Sequence, residues 1–124
     1  MEISFNQAKE ALGKLRKQQL PNGGQNVPEL LKVKGKPGIK IYQLKCDIEN
    51  TFQAEIERFR DLLQERQEAG EERTKEINEE LADLLQEEKE LELNRGKLQE
   101  EEIESVLDAD ILQDLGFAIE LDGQ

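Results

Sequence analysis

Apolar residues recur at steps of three and four along most of this chain, and the few places where that rhythm stops mark its turns. Phe5, Ala8, Leu12 and Leu15 share one helical face. Ser4 and Gln7 have the S-x-x-Q spacing of a capping box, so a first helix is predicted over 4–19. Leu20-Pro21 ends it, because proline disfavours helical geometry at the residue before it. Pro21–Pro28, PNGGQNVP, reads as a loop. Leu30, Leu31 and Val33 suggest a short extended piece, and Lys34-Gly35-Lys36-Pro37-Gly38 a second, basic turn.

The longest stripe passes through Ile41, Leu44, Ile48, Phe52, Ile56, Phe59, Leu62 and Leu63 and predicts a helix over 39–68, with Glu55 on its polar edge. After Ala69-Gly70 a matching stripe at Ile77, Leu81, Leu84, Leu85 and Leu91 predicts a third helix over 72–91. Gly70 either bends the chain, capping the second helix with positive φ, or sits inside one continuous helix. With a bend, the two stripes bury each other in an antiparallel hairpin of coiled-coil character. Its expected core is Leu44, Ile48, Phe52, Ile56, Phe59, Leu81 and Leu84. Beyond Leu91 the period shortens to two. Leu91–Leu93 and Phe117–Leu121 read as strands of a small ribbon. Between them lie cap signals at Ser105, Asp108 and Asp110, then a short helix through Ile111, Leu112 and Leu115, stopped by Gly116. The expected fold is mainly α: one domain made of a basic N-terminal helix and loops (1–38), a long antiparallel helical hairpin (39–92) and a small C-terminal β and short-helix cap (93–124).

Composition changes this picture in one respect. Hydrophobic residues supply 35% of the chain and charged residues 37%, with four Phe, one Tyr and no Trp. Such a supply favours seams over a thick core, with a partner or a second copy as a further source of cover. The net charge of −12 is unevenly divided. Residues 1–45 carry nine Lys/Arg against three Asp/Glu, or +6, and the remainder eight against 26, or −18. The basic third is expected to dock on the acidic part. The exposed acids Glu71, Glu72, Glu76, Glu79, Glu87 and Glu90 are the candidate surface for a protein partner. A Glu-rich rod of this kind also imitates a phosphate backbone, so an inhibitor of a host nucleic-acid enzyme or defence nuclease is an alternative function.

Candidate chemistry is sparse. With no histidine, the common general base and the Ser-His and Cys-His pairs are absent. Cys46 is the only cysteine, which excludes an intrachain disulfide and a structural zinc site and suits a reducing, cytoplasmic setting. The start MEISFNQAKEAL lacks the pattern of a signal peptide, and no apolar run approaches the ~20 residues that span a bilayer. Asp108, Asp110 and Asp114 give D-x-D-x-x-x-D, but Gln113 and Ile119 stand where a calcium loop needs Gly and Glu. Lys32, Lys34, Lys36, Lys40 and Lys45 have only Tyr42 beside them as a stacking surface, so direct nucleic-acid binding is not expected.

Two resemblances add context. Glu79–Leu85, EELADLL, resembles a segment of the MazG-type all-α nucleoside-triphosphate pyrophosphohydrolases, which hold magnesium on paired carboxylates. That resemblance implies Glu80 and Asp83 as metal ligands, with Glu65 and Glu68 as the other pair. The acidic, polar run after Leu85 departs from that family. Ala8–Pro21 together with Lys36–Arg66 resembles a group of small phage and prophage proteins of uncharacterised function. They share a short helix ending in Leu-Pro, a long helix rich in Glu and Arg near its end, a Gly-bearing turn and an acidic helix. Residues 22–35 form an insertion relative to that pattern. It implies a non-enzymatic accessory or assembly protein, with no cofactor to assign.

Overall fold

In the computed structural model, which describes residues 1–121, the chain is mainly α-helical. The first helix, α1 (Phe5–Leu15), follows a short strand, β1 (Glu2–Ser4). Ser4 closes the predicted capping box: its hydroxyl accepts from the Gln7 N–H at 3.1 Å, and its own N–H donates to the Gln7 side chain at 2.8 Å. The predicted face is buried, with Phe5, Ala8, Leu12 and Leu15 joined by Ala11. The helix stops four residues short of Gln19, because Arg16 turns extended and Gln18–Gln19 (β2) pairs with Gln25–Asn26 (β3) in a small antiparallel hairpin.

Leu30, Leu31 and Val33 do not form the extended piece expected of them. Glu29–Lys32 is a 3-10 turn that drives Leu30 into the core. Helix α2 (Lys36–Thr51) then begins behind Gly35, whose φ of 78° and ψ of −152° suit glycine and strain other residues. A Cβ on Gly38 would stand 2.5 Å from the Val33 carbonyl oxygen. The glycines of this basic turn are thus explained by backbone geometry, a positive φ at Gly35 and a close approach of the Val33 carbonyl at Gly38.

The helix predicted over 39–68 is bent rather than straight. It consists of α2 and α3 (Gln53–Glu68), which meet at Phe52 with φ −107° and ψ 23°. The i→i−4 bonds continue through the bend: Phe52 N–H donates to Ile48 at 3.0 Å, and Ile56 N–H to Phe52 at 2.8 Å. No Pro or Gly lies here. Asn50 and Thr51 are weak helix formers, and the Phe52 ring is drawn fully inward, 5.8 Å from that of Phe5. The bend shifts the stripe by one position. Glu55, expected on the polar edge, is buried, while Ile56 and Phe59 are only half-buried.

Ala69 and Gly70 are both extended and join α3 to α4 (Glu71–Leu85). The turn is a bend, and Gly70 has φ −74°, so it is neither a positive-φ cap nor a residue within a helix. The α3–α4 hairpin buries Leu62 against Ile77, Leu81 and Leu84. The α4 stripe is therefore largely covered within the chain itself, while Ile56, Phe59 and Leu63 of α3 stay half-buried. Helix α4 ends at Leu85 rather than 91, because Glu88–Glu90 (β4) pairs antiparallel with β1, Ile3 opposite Lys89. Glu87, Glu88 and Glu90 would also meet the negative end of the dipole of a longer helix.

The predicted C-terminal ribbon is likewise replaced. Leu91 and Leu93 lie past β4, and Phe117 belongs to a 3-10 turn over Gly116–Ala118. Ile119–Glu120 (β6) instead pairs in parallel with Leu98–Gln99 (β5). The short helix α5 (Ala109–Leu115) forms as expected, with Asp108 accepting from the Ile111 N–H at 2.9 Å. One core cluster draws on all these parts, from Ile3 to Ile119. No helix among the described residues is long and apolar enough to cross a membrane.

Two substitutions check this packing. Gly38→Ala should destabilise by about 1–3 kcal/mol in chemical denaturation, since backbone must yield to the added methyl. The buried Glu55 carboxylate pairs with Lys89, which also donates to the Thr51 carbonyl at the bend at 3.4 Å. Lys89→Met should cost about 2 kcal/mol, less than for a fully buried pair because Lys89 is 40% exposed. The double variant Glu55→Leu/Lys89→Met should regain most of that loss, because no unpaired charge remains inside.

Candidate interaction surface

The hairpin carries its charges in two different ways. On its inner edge, Arg73 gathers three carboxylates: Glu65 at 2.7 Å, Glu76 at 3.0 Å and Glu80 at 3.7 Å. Arg58 also reaches Glu80 at 3.3 Å, and Arg66 donates to Asn78 at 3.0 Å. The Arg73–Glu65, Arg58–Glu80 and Arg66–Asn78 contacts tie α3 to α4, while Glu76 and Glu80 meet Arg73 within α4 itself. The carboxylates around it hold the Arg73 guanidinium above its ordinary pKa, led by its hydrogen bonds to Glu65 and Glu76. It stays charged throughout any working pH range.

On the outer face the acids are unopposed. Glu71, Glu72, Glu79 and Asp83 are exposed and make no ion pair among the described residues. Glu72, Glu79 and Asp83 share one side of α4 with Glu76, at spacings of three and four. The other two candidate acids fall elsewhere. Glu87 is in the turn after α4, where its carbonyl accepts from the Phe5 N–H at 2.7 Å. Glu90 is on β4, where its carboxylate binds the N-terminal amine. The six acids therefore do not form one helical face. Glu71, Glu72, Glu76 and Glu79 belong together, and Glu87 and Glu90 lie beyond the helix end.

The metal-ligand set is not assembled. Glu65 and Glu80 do converge, but on Arg73, which already supplies the cation. Glu68 and Asp83 are exposed, and no group of three or more Asp, Glu or Cys among the described residues is arranged to hold a metal ion. Asp108 is a helix cap, Asp114 pairs with Lys14 at 3.8 Å, and Asp110 sits exposed in the first turn of α5.

The basic third docks on the acidic part through specific pairs. Arg16 grips Glu49, Lys40 meets Glu102 at 2.8 Å, and Lys14 meets Asp114. Of the lysine cluster, Lys32 pairs with Glu29 and Lys45 approaches Glu49 at 3.9 Å, while Lys34 and Lys36 stay without an ion pair among the described residues. Periodicity does not show one buried acid, Asp47. It takes hydrogen bonds from Gln43 at 2.8 Å and from the backbone N–H of Asn94 at 3.1 Å, pinning the loop after β4 to α2. Its place in line with Ile41, Leu44 and Ile48 is the one hint that sequence offers. Comparison of the chain with family models, with curated proteins and with solved structures finds no match.

Cys46 is half-buried and lies one turn after Tyr42 on α2. The hydrogen-bonding influence of Cys46, then its charge, desolvation and the charge of Glu49 all raise the Tyr42 pKa above its ordinary 10.0. Tyr42 is the only tyrosine and there is no Trp, so ultraviolet titration reads it directly. The phenol should stay neutral to higher pH than a free tyrosine, and Cys46→Ala should lower its midpoint toward 10.0. Equal midpoints in the two proteins would rule out Cys46 as the cause.

Proposed function

We propose that this chain is a non-enzymatic phage-type accessory or assembly protein that holds a protein partner on the acidic outer face of its α3–α4 hairpin. The observation that carries the reading is the division of charge on that hairpin. One set of acids is consumed by Arg73 and Arg58 in holding α3 and α4 together. A second set, Glu71, Glu72, Glu79 and Asp83, is free of ion pairs among the described residues and rides on a helix whose apolar side is buried. Charges of one sign on a braced helix backbone steer and select a basic surface. The phage context rests on the resemblance of Ala8–Pro21 and Lys36–Arg66 and on the agreement in order of elements.

The test is affinity purification from infected or lysogenic cells with the wild-type chain and with Glu72→Lys/Glu79→Lys/Asp83→Lys. The wild type should retain a specific protein, released as salt rises, and the variant should retain about tenfold less or none. A wild-type bait that returns no specific protein overturns the reading. Displacement of the partner by duplex DNA would reassign the same acids to mimicry of a phosphate backbone and make the protein an inhibitor of a nucleic-acid enzyme.

A further inference from the structure

Around the end of α1 the molecule carries a surface of the reverse character. Two shallow hollows lie on either side of the end of α1 and share Arg16 and Lys17. The first, of about 620 Å³ between α1, the 3-10 turn and α2, has a floor of Leu15, Leu30, Leu31 and Ile41. The second, of about 550 Å³ between α1 and α3, has a floor of Leu12, Ile56, Phe59 and Leu63. Ile56, Phe59 and Leu63 are the stripe residues that the bend at Phe52 leaves half-buried. Beside the first hollow the chain exposes its most prominent apolar pair, Ile39 at 51% and Tyr42 at 63%.

The rims are basic. Lys9, Arg16, Lys17, Lys45 and Arg60 line the two hollows, against Glu10 and Glu49. Glu49 is already engaged by Arg16 and Lys45. Lys17 and Arg60 are exposed and have no ion pair among the described residues, and Lys9 stands over the Phe59 ring at 5.3 Å. A cation-rimmed apolar trough on a chain of net charge −12 is a local exception, so it selects for an occupant instead of merely solvating the surface.

We infer that this trough is a second docking site, for an acidic segment of a partner protein that carries apolar anchors. The anchors would fill the two floors, and the acids would meet Lys17 at the shared rim and Arg60 at the edge of the second hollow. A second copy of this chain is a poor occupant. The apolar residues of its acidic stretches are either buried, as Ile77, Leu81, Leu84, Leu91 and Ile103 are, or at most half-exposed, as Leu85 and Leu93 are, so it offers charge with few free anchors. The protein then has two faces of opposite sign, the acidic hairpin and the basic trough, able to hold two partners at once.

The test is selection of a display library of random linear peptides on the full chain, followed by fluorescence anisotropy with a synthesised winner. The expected result is enrichment of acidic peptides bearing spaced apolar residues. Their binding should weaken about tenfold or more in Lys17→Glu/Arg60→Glu and stay unchanged in Glu72→Lys/Glu79→Lys, which separates this site from the hairpin face. If the charge variant fails to fold by circular dichroism, Tyr42→Ala carries the test, with weaker binding again expected. Enrichment of basic or uncharged peptides, no enrichment at all, or equal binding to the trough variants overturns the inference. Tighter binding of oligo-dT than of the peptide to the same face also overturns it, assigning the trough to phosphate.

Discussion

Phe5 is where the separate pieces of this molecule are joined. Its ring lies 5.8 Å from Phe52 and 5.8 Å from Phe59, the second contact edge-on at 71°. Its backbone N–H donates to Glu87 at 2.7 Å, extending the pairing of β1 with β4, and it is the first residue of α1 behind the Ser4 cap. One residue therefore fixes the start of α1, the bend between α2 and α3, and the exit from the hairpin. With 35% hydrophobic residues and no Trp, the chain has few other groups of that size, so aromatic pairing does here what a thick aliphatic core does elsewhere.

Electrostatics supplies the second constraint. A +6 segment folded against a −18 segment gains by neutralisation, but only a handful of pairs actually form between them, at Glu49, Glu102 and Asp114. Exposed pairs of this kind contribute little each. They join α1 to α2 and α5 beside its buried apolar face, and they leave Lys17, Lys34 and Lys36 and the outer acids of α4 without ion pairs among the described residues. The charge asymmetry of the sequence thus survives in the folded protein as two surfaces.

The helical part of this architecture was legible because periodicity is a local signal. The capping box at Ser4, the buried face of α1, the hairpin turn at 69–70 and the Asp108 cap all follow from residues within a few positions of each other. What failed depended on distant partners. The strand at Glu2–Ser4 exists only because Glu88–Glu90 comes alongside, and neither run alternates well enough to announce itself. Glu55 reads as polar edge until Lys89 arrives to pair with it. The candidate surface was legible in composition but not in extent, since Glu87 and Glu90 were assigned to a helix that ends at Leu85.

The bend at Phe52 connects these failures to function. A straight helix over 39–68 would keep the stripe centred on Ile56, Phe59 and Leu63, with Glu55 at its edge. Bending there instead admits Glu55 to the interior, where Lys89 from β4 stabilises it, and rotates those three apolar residues toward the trough beside α1. Burying a carboxylate is unfavourable unless it is paired, so nothing in hairpin packing alone selects this arrangement. The same rotation supplies the apolar floor of a surface rimmed by Lys9, Lys17 and Arg60. A buried Glu–Lys pair on α3 is therefore the structural counterpart of the half-buried apolar trough on the adjoining flank of the same helix.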